Sequence, residues 1–351
     1  MTGTSLDGID AAVIAVTGHG LSMRAAFRSH AAGSLGAAEE TLRHLATGRK
    51  VSPRAIAAAV HTLSSHTAAV MSEALGDLSA DLAGVHGQTV LHAPPNSWQL
   101  MDAAIIAASL SCPVACQMRA GDLAAGGQGA PITPLADWIL FRGDRRRAVV
   151  NLGGFCNITW LPASEDPADI TGRDICVCNQ LLDAAARERL GTPWDTDGRR
   201  ASAGTPDAAL ADALVARLTA ADHATSLGTG DESLDWLDSQ AAQDAPTDVL
   251  LASLATAIGR VVGAAAATAA DEILLAGGGA NHEPLVDAIR MAAGKPVSTT
   301  AELGIPIEAR EAACIAVLAA LDHDGVPTTL PAVTGRVTSP MISMQWCRPV
   351  G

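Results

Sequence analysis

Tyrosine is absent from these 351 residues; beside the abundant alanine, this is compositional bias and points to no function. Basic side chains are the scarcer sign, 23 Lys and Arg against 37 Asp and Glu, for a net charge of −14. A surface of that sign repels nucleic acid and anionic membrane, so neither is expected as a partner. No uncharged apolar run of about 18 residues occurs, and no membrane span is expected. The N-terminus lacks a basic region followed by an apolar one, so no signal peptide is expected. Paired cysteine signals are missing too: seven cysteines lie scattered at 112, 116, 156, 176, 178, 314 and 347. An odd, unpatterned set reads as reduced thiols in a cytosol, and the expected location is cytoplasmic. Cys176 and Cys178 stand too close for zinc spacing and have no partner pair, so they read as small buried apolar residues. No residue is assigned to a metal.

What is present is globular: 48% hydrophobic and 17% charged residues, in a length that fits two domains. The stretch from Val149 to Asp183 organises the rest. An apolar run ending at Asn151-Leu152-Gly153-Gly154 and resuming at Cys156 reads as two strands joined by a glycine turn. Glycine tolerates positive φ there and would bring bare N–H groups to a ligand. A third strand, 169–174, delivers Asp174, and a helix runs from Asn179 through Leu190. A glycine turn and a carboxylate on the next strand suggest phosphoryl transfer. On this segment alone, a plain hairpin with a solvated aspartate reads equally well.

Along the chain, residues 1–10 are dense in turn residues and lead into a strand from Ala11 to Val16, with a second, antiparallel one at 21–29. Such a start can wrap a phosphate, with Asp7 or Asp10 near a metal ion, or it is an N-terminal turn. Helices are expected at 37–47 and at 53–74, the latter opening with Pro53 after Ser52. A short strand ends at His86-Gly87-Gln88-Thr89; a helix is expected over 98–110 and a strand over 113–118. Gly126-Gly127-Gln128-Gly129, with Arg119 and Asp122 before it, has the composition of a ligand loop. Helices follow at 131–142, 207–220, 231–240 and 246–269, with a flexible loop at 225–230. A buried strand from Glu272 then breaks into Gly277-Gly278-Gly279-Ala280-Asn281 before a helix at Glu283, where backbone can approach a base or ribose. It is not the dinucleotide fingerprint. A strand at 297–300 and a helix at 306–321 precede a tail expected to pack back on the first domain.

Seven stretches, in order, resemble one family, the 1,6-anhydro-N-acetylmuramic acid kinases of peptidoglycan recycling. They are Gly3-Thr-Ser-Leu-Asp-Gly-Ile-Asp10, His86-Gly-Gln-Thr89, Asp122 to Pro131, Asn151-Leu-Gly-Gly-Phe-Cys-Asn-Ile-Thr159, Gly277 to Asn281, Glu311-Ala312 and Leu330 to Gly335. The resemblance implies an α/β fold of two RNase H-like, actin/hexokinase-type domains with a nucleotide and sugar cleft between them. The first would cover 1–130, with the tail 325–351 packing on it, and the second 131–324. It implies ATP and Mg²⁺, no nucleic acid, no membrane, and a tendency to form homodimers. The implied chemistry opens the 1,6-anhydro ring with water and phosphorylates O6, giving N-acetylmuramic acid 6-phosphate.

The same resemblance implies roles. Gly3, Thr4, Ser5, Leu6, Asp7, Gly8, Ile9 and Asp10 would hold the ATP phosphates, flanked by Gly153 and Gly154. Gly277, Gly278, Gly279 and Asn281 would lie against the adenosine. His86, Gln88, Thr89, Arg119, Asp122 and Glu311 would line the sugar side. Asp174 aligns with the catalytic aspartate, which takes a proton from water as its oxygen attacks C1. This chain departs at three places. Ile175-Cys176-Val177-Cys178 stands where the family has Thr-Gly-Pro-Gly, and such residues resist positive φ. Residues 224–226 lack the family's lysine, and a short apolar strand that the family carries before Gly3 is not in this sequence. A homologue acting on another anhydrosugar and a nucleotide-binding protein without turnover are the alternative readings. A filament-forming ATPase shares the fold but not the segments at 86–89 and 122–131.

Overall fold

The computed structural model describes residues 1–2, 6, 8–220, 233–340 and 343–349. Gly3, Thr4, Ser5 and Asp7 of the expected phosphate segment, and the segments at 224–226 and 225–230, lie outside that set. The chain divides into two compact units, Met1–Phe141 with Gly304–Gly351, and Arg142–Leu303.

In the first unit, β1 (Ile9–Thr17) and β2 (Arg24–Gly33) pair antiparallel. Helix α1 (Glu39–Ala46) follows, then α2 (Pro53–Leu75), which opens with Pro53 in its first turn and the Ala55 N–H donating to the Ser52 hydroxyl. Next come β3 (Ala83–Gly84), β4 (Gln88–Ala93) and β5 (Asn96–Leu100). Trp98 was expected in a helix and lies in β5 instead, because Pro94-Pro95 turns the chain back and Trp98 pairs with Leu91 across the hairpin. The helix, α3 (Ala103–Leu110), begins only where the Asp102 carboxylate accepts the Ala104 N–H. β6 (Val114–Cys116) runs parallel to β3, and α4 (Ala120–Ala124) and α5 (Pro134–Phe141) complete this stretch.

The second unit begins with an antiparallel meander, β7 (Arg147–Leu152), β8 (Phe155–Leu161) and β9 (Thr171–Val177). Among the described residues five helices follow: α6 (Asn179–Leu190), α7 (Arg199–Ala203), α8 (Ala208–Ala220), α9 (Gln240–Asp244) and α10 (Thr247–Ala267). β10 (Glu272–Ala276) joins β7 in parallel, and after α11 (Glu283–Ala293), β11 (Val297–Thr299) joins β10 in parallel. The order is β11-β10-β7-β8-β9. Three antiparallel strands followed by two parallel to the first is the RNase H-like arrangement. Its core is one continuous cluster centred on α10, which is apolar on nearly every side and packs against α8 and α11. By length and composition alone α10 could cross a membrane, but here it is the core helix.

The chain then re-enters the first unit with α12 (Arg310–His323), α13 (Pro331–Thr334) and β12 (Gln345–Cys347), which pairs antiparallel with β6. The expected boundaries at 130 and 324 therefore move to 141 and 303. The cause is packing: Arg310 on α12 and Asp137 on α5 form a buried ion pair, with side chains 1% and 0% exposed. Among the described residues, the strands of this unit fall into three sets, β1-β2, β12-β6-β3 and β4-β5. Helix α12 packs against both β1 and β3.

Candidate active site

The register of β9 decides which face Asp174 occupies. Phe155 pairs with Val177 and Cys156 with Cys176, but Asn157 pairs with Asp174, so Ile175 is an extra, bulged residue. Without the bulge, Asp174 would oppose Ile158, which is 1% exposed and faces the core. With it, Asp174 stands beside Asn157, half-buried, and Asn157 in turn pairs with Asn151 on β7. A polar row, Asn151–Asn157–Asp174, thus crosses three strands. Asn151 also pairs with Ala276, the residue before the glycine loop.

That loop lies directly over the end of β7. Gly277 has φ +79°, and a Cβ there would stand 2.7 Å from Asn151 Oδ1 and 2.8 Å from the Leu152 carbonyl. Asn179 Nδ2 donates to the same Leu152 carbonyl at 2.9 Å, tying the start of α6 to β7. The predicted residues Gly277, Gly278, Gly279 and Asn281 form a single turn of 3₁₀ helix with its cap. Asp174, the Gly153-Gly154 turn and this loop are therefore gathered at one end of the sheet.

The Gly153-Gly154 turn departs from the sequence reading in its backbone conformation. Neither glycine takes a positive φ, and it is their carbonyls that are engaged. Gly154 O accepts the N–H of Cys178 at 2.8 Å and of Gln180 at 3.3 Å, and Gly153 O accepts that of Asn179 at 3.0 Å. These donors open α6, so the turn caps the helix and leaves those N–H groups no phosphate to meet. Ile175-Cys176-Val177, where the family has a glycine-rich run, continue β9 as strand and are 6%, 1% and 2% exposed. Burial pushes the Cys176 thiol up to about 12 and those of Cys156 and Cys178 well above the usual range, with neighbouring thiols adding to both. All three are protonated packing residues.

In the first unit, polar contacts place the candidate residues. His86, 3% exposed, donates from Nδ1 to the Gly87 carbonyl at 2.9 Å, an assignment made from its partners. Its Nε2 accepts from Arg119 Nε at 3.1 Å, and Arg119 Nη1 donates to the Gly129 carbonyl at 2.6 Å. Burial first, and the Arg119 cation second, push His86 down to about 3, so it is neutral. Asp122 was expected on the sugar, but the structure encloses it at 2% exposure. One oxygen accepts the Gly129 N–H at 2.7 Å and the other the Thr334 hydroxyl at 2.6 Å, with Arg336 Nε 3.9 Å away. The 126–129 loop wraps this carboxylate so tightly that a Cβ at Gly127 would lie 2.1 Å from it. Gln128 donates its N–H to the Thr334 carbonyl at 2.8 Å. Thr334 lies in a motif singled out by the sequence, but nothing there showed that its hydroxyl would reach residue 122.

Of the remaining predicted residues, Gln88 and Thr89 begin β4 and are buried; among the described residues the Thr89 hydroxyl has no hydrogen-bond partner, which suits it to a ligand or a water. Asp10 meets His30 Nε2 at 3.0 Å, and its N–H donates to the Met1 carbonyl at 2.9 Å. Glu311 follows Arg310, which donates from Nε to Asp137 at 2.9 Å and from Nη2 to Thr133 at 3.2 Å. Among the described residues no group of three or more His, Cys, Asp or Glu converges as a metal cage. A cavity of about 490 Å³ in the second unit, lined by Asp207, Leu210, Trp236 and Asp244 among others, borders none of these residues.

A family model described as anhydro-N-acetylmuramic acid kinase matches residues 1–344. The chain is 34% identical to the anhydro-N-acetylmuramic acid kinase of Salinibacter ruber, over 95% of this chain and 92% of that protein. It is 35% identical to the protein of the same name from Acidiphilium cryptum, over 99% and 97%. Among solved structures, (R)-2-hydroxyglutaryl-CoA dehydratase component A of Acidaminococcus fermentans is 13% identical with TM-score 0.43, covering 90% of this chain and 99% of that one. At that score the likeness carries no weight.

Proposed function

The chain belongs to the anhydro-N-acetylmuramic acid kinase family of phosphotransferases, and from that membership we propose that Asp174 is its general base. The substrate is anhydro-N-acetylmuramic acid and the phosphoryl donor is ATP. Water adds its oxygen to C1, the C1–O6 bond breaks, and O6 takes the γ-phosphoryl group as ADP leaves. The proton released by the water goes to a carboxylate oxygen of Asp174. Positive charge developing at C1 also favours a nearby anion. The observation that carries this reading is the bulge at Ile175, which takes Asp174 off the core face and sets it at the end of the polar row Asn151–Asn157–Asp174.

Gln88, Thr89, Arg119 and Glu311 take the sugar contacts in this reading, and the segment ending at Asp10 takes the ATP phosphates. Gly277 to Asn281 lie against the adenosine, where only a glycine turn leaves room for a flat group. Mg²⁺ fits as an ion carried on the nucleotide, since the described residues offer no cage of their own, with Asp10 as a carboxylate that would face it. When bound, it would neutralise charge on the phosphates. A cytoplasmic setting belongs to the same reading.

The test is ADP release, measured with a coupled enzyme, with 1,6-anhydro-N-acetylmuramic acid added or withheld. Sugar-dependent release that disappears in Asp174→Asn, with ATP binding retained, is expected. Release that does not depend on the sugar would replace this function with a plain ATPase.

A further inference from the structure

Beyond its first pair, Gln88–Leu100, the β4–β5 hairpin buries its polar face and exposes its apolar one. Val90 is an extra residue, so the pairs Thr89–Gln99 and His92–Ser97 share one face while Leu91–Trp98 takes the other. Leu91 and Trp98 are 49% and 45% exposed, whereas Thr89 and Gln99 are 7% and 6%. A buried polar face needs polar partners. The hairpin supplies some of them itself. Gln99 donates from Nε2 to the Ser97 hydroxyl at 2.8 Å, and Ser97 Oγ lies 2.8 Å from His92 Nδ1. Two atoms are left over. Thr89 Oγ1 and His92 Nε2 are both shielded from solvent and, among the described residues, neither has a hydrogen-bond partner.

We infer that His92 is a further sugar-binding residue: its Nε2 and the Thr89 hydroxyl together hold one uncharged group of the anhydrosugar, the 4-hydroxyl or the acetamido group. This rests on the proposed kinase function and on Thr89 as a sugar contact, and it adds a residue three positions past the His86 to Thr89 motif. The two atoms dictate the kind of group. A threonine hydroxyl donates or accepts by rotating, and an imidazole nitrogen does one or the other according to its tautomer. A hydroxyl or an amide both donates and accepts, so it satisfies either arrangement. A carboxylate only accepts, and it suits just the one arrangement in which both protein atoms donate. Burial first, and the Arg119 cation second, push His92 down to about 4, so the ring brings no charge to draw a carboxylate in.

The experiment is steady-state kinetics on His92→Ala and Thr89→Val, each checked by thermal melting. His92→Ala should raise the KM for the anhydrosugar by ~5–50-fold and leave that for ATP within about twofold. Should it not fold, His92→Phe keeps a ring, loses both nitrogens and gives the same readout. Thr89→Val removes a hydroxyl that the described fold does not use, so the sugar KM should rise while the melting temperature holds or increases. A lowered melting temperature with a wild-type sugar KM would mean that this face serves the fold, and the inference would fail. Each variant is then paired with two substrate analogues, one lacking the 4-hydroxyl and one lacking the acetamido group. The penalty should vanish against the analogue without the held group, which identifies it. A full penalty against both analogues would overturn the contact with an uncharged group. A wild-type sugar KM in a folded His92 variant would remove His92 and leave the kinase reading standing. Absence of sugar-dependent ADP release from the wild type would instead overturn that reading, and the inference with it.

Discussion

The two units hold their candidate residues by different means. In the second unit one five-stranded sheet does the work: Asp174 faces its side because of a bulge, and Gly277 crosses the end of β7 because β10 runs beside it. In the first unit the strands fall into three sets among the described residues, and side-chain hydrogen bonds take over. His86, Arg119, Gly129, Asp122 and Thr334 form one chain of contacts that links β3, the 126–129 loop and α13. Geometry set by register resists loss of a single side chain, because the ladder is backbone. Geometry set by a polar network fails at each member, since an unpaired buried partner is left behind.

The largest expected effect tests the register side of that contrast. Asp174→Asn should leave ATP affinity and melting temperature nearly unchanged while lowering kcat by roughly two to four powers of ten. Retention of full turnover would remove Asp174 from the chemistry. Next, Asp137→Ala strands the Arg310 charge in the first unit and should cost about 3–5 kcal/mol in urea unfolding. Asp122→Ala leaves the Gly129 N–H and the Thr334 hydroxyl without their acceptor and should cost about 1–3 kcal/mol, with the sugar KM raised more than that for ATP. An equal loss after Asn157→Ala in the second unit would erase the contrast. Smallest is a pH effect. His86 is neutral in the folded protein down to about pH 3 but protonates near 6.5 when unfolded. The unfolded chain therefore binds the extra proton, and stability falls as pH drops below 6.5, by up to ~1.4 kcal/mol per pH unit from this group. Melting temperature from pH 7 to 5 should fall less in His86→Gln.

What the sequence made legible was mostly local. Ser52 and Pro53 mark the start of α2, Asn179 to Leu190 is helix at the expected bounds, and the strand into Gly277 is as read. Trp98 failed because a two-proline turn made a hairpin partner of a segment whose apolar spacing also suits a helix. The bulge at Ile175 left no trace in composition, since an extra residue is visible only against its partner strand. Substitution of a glycine-rich run by Ile-Cys-Val suggested a damaged phosphate loop. In the fold those residues lengthen β9 and fill the core, and the Gly153-Gly154 turn supplies carbonyls to the helix behind them. His86 and Asp122 are buried and bonded to protein groups, which composition could not show, because buried polar hubs and binding residues have the same composition. Only their partners tell them apart.

Helix α10 has a consequence for how the molecule is made. Until α8 and α11 close over it, the newly synthesised chain displays a segment as greasy as a bilayer span, open to capture by any hydrophobic surface nearby. Arg260, placed inside that segment and joined to Asp212 at 2.6 Å once α8 arrives, is the one charge in its middle turns. It adds little to the finished fold, where the pair is exposed, but it acts as a gatekeeper against aggregation before the fold exists.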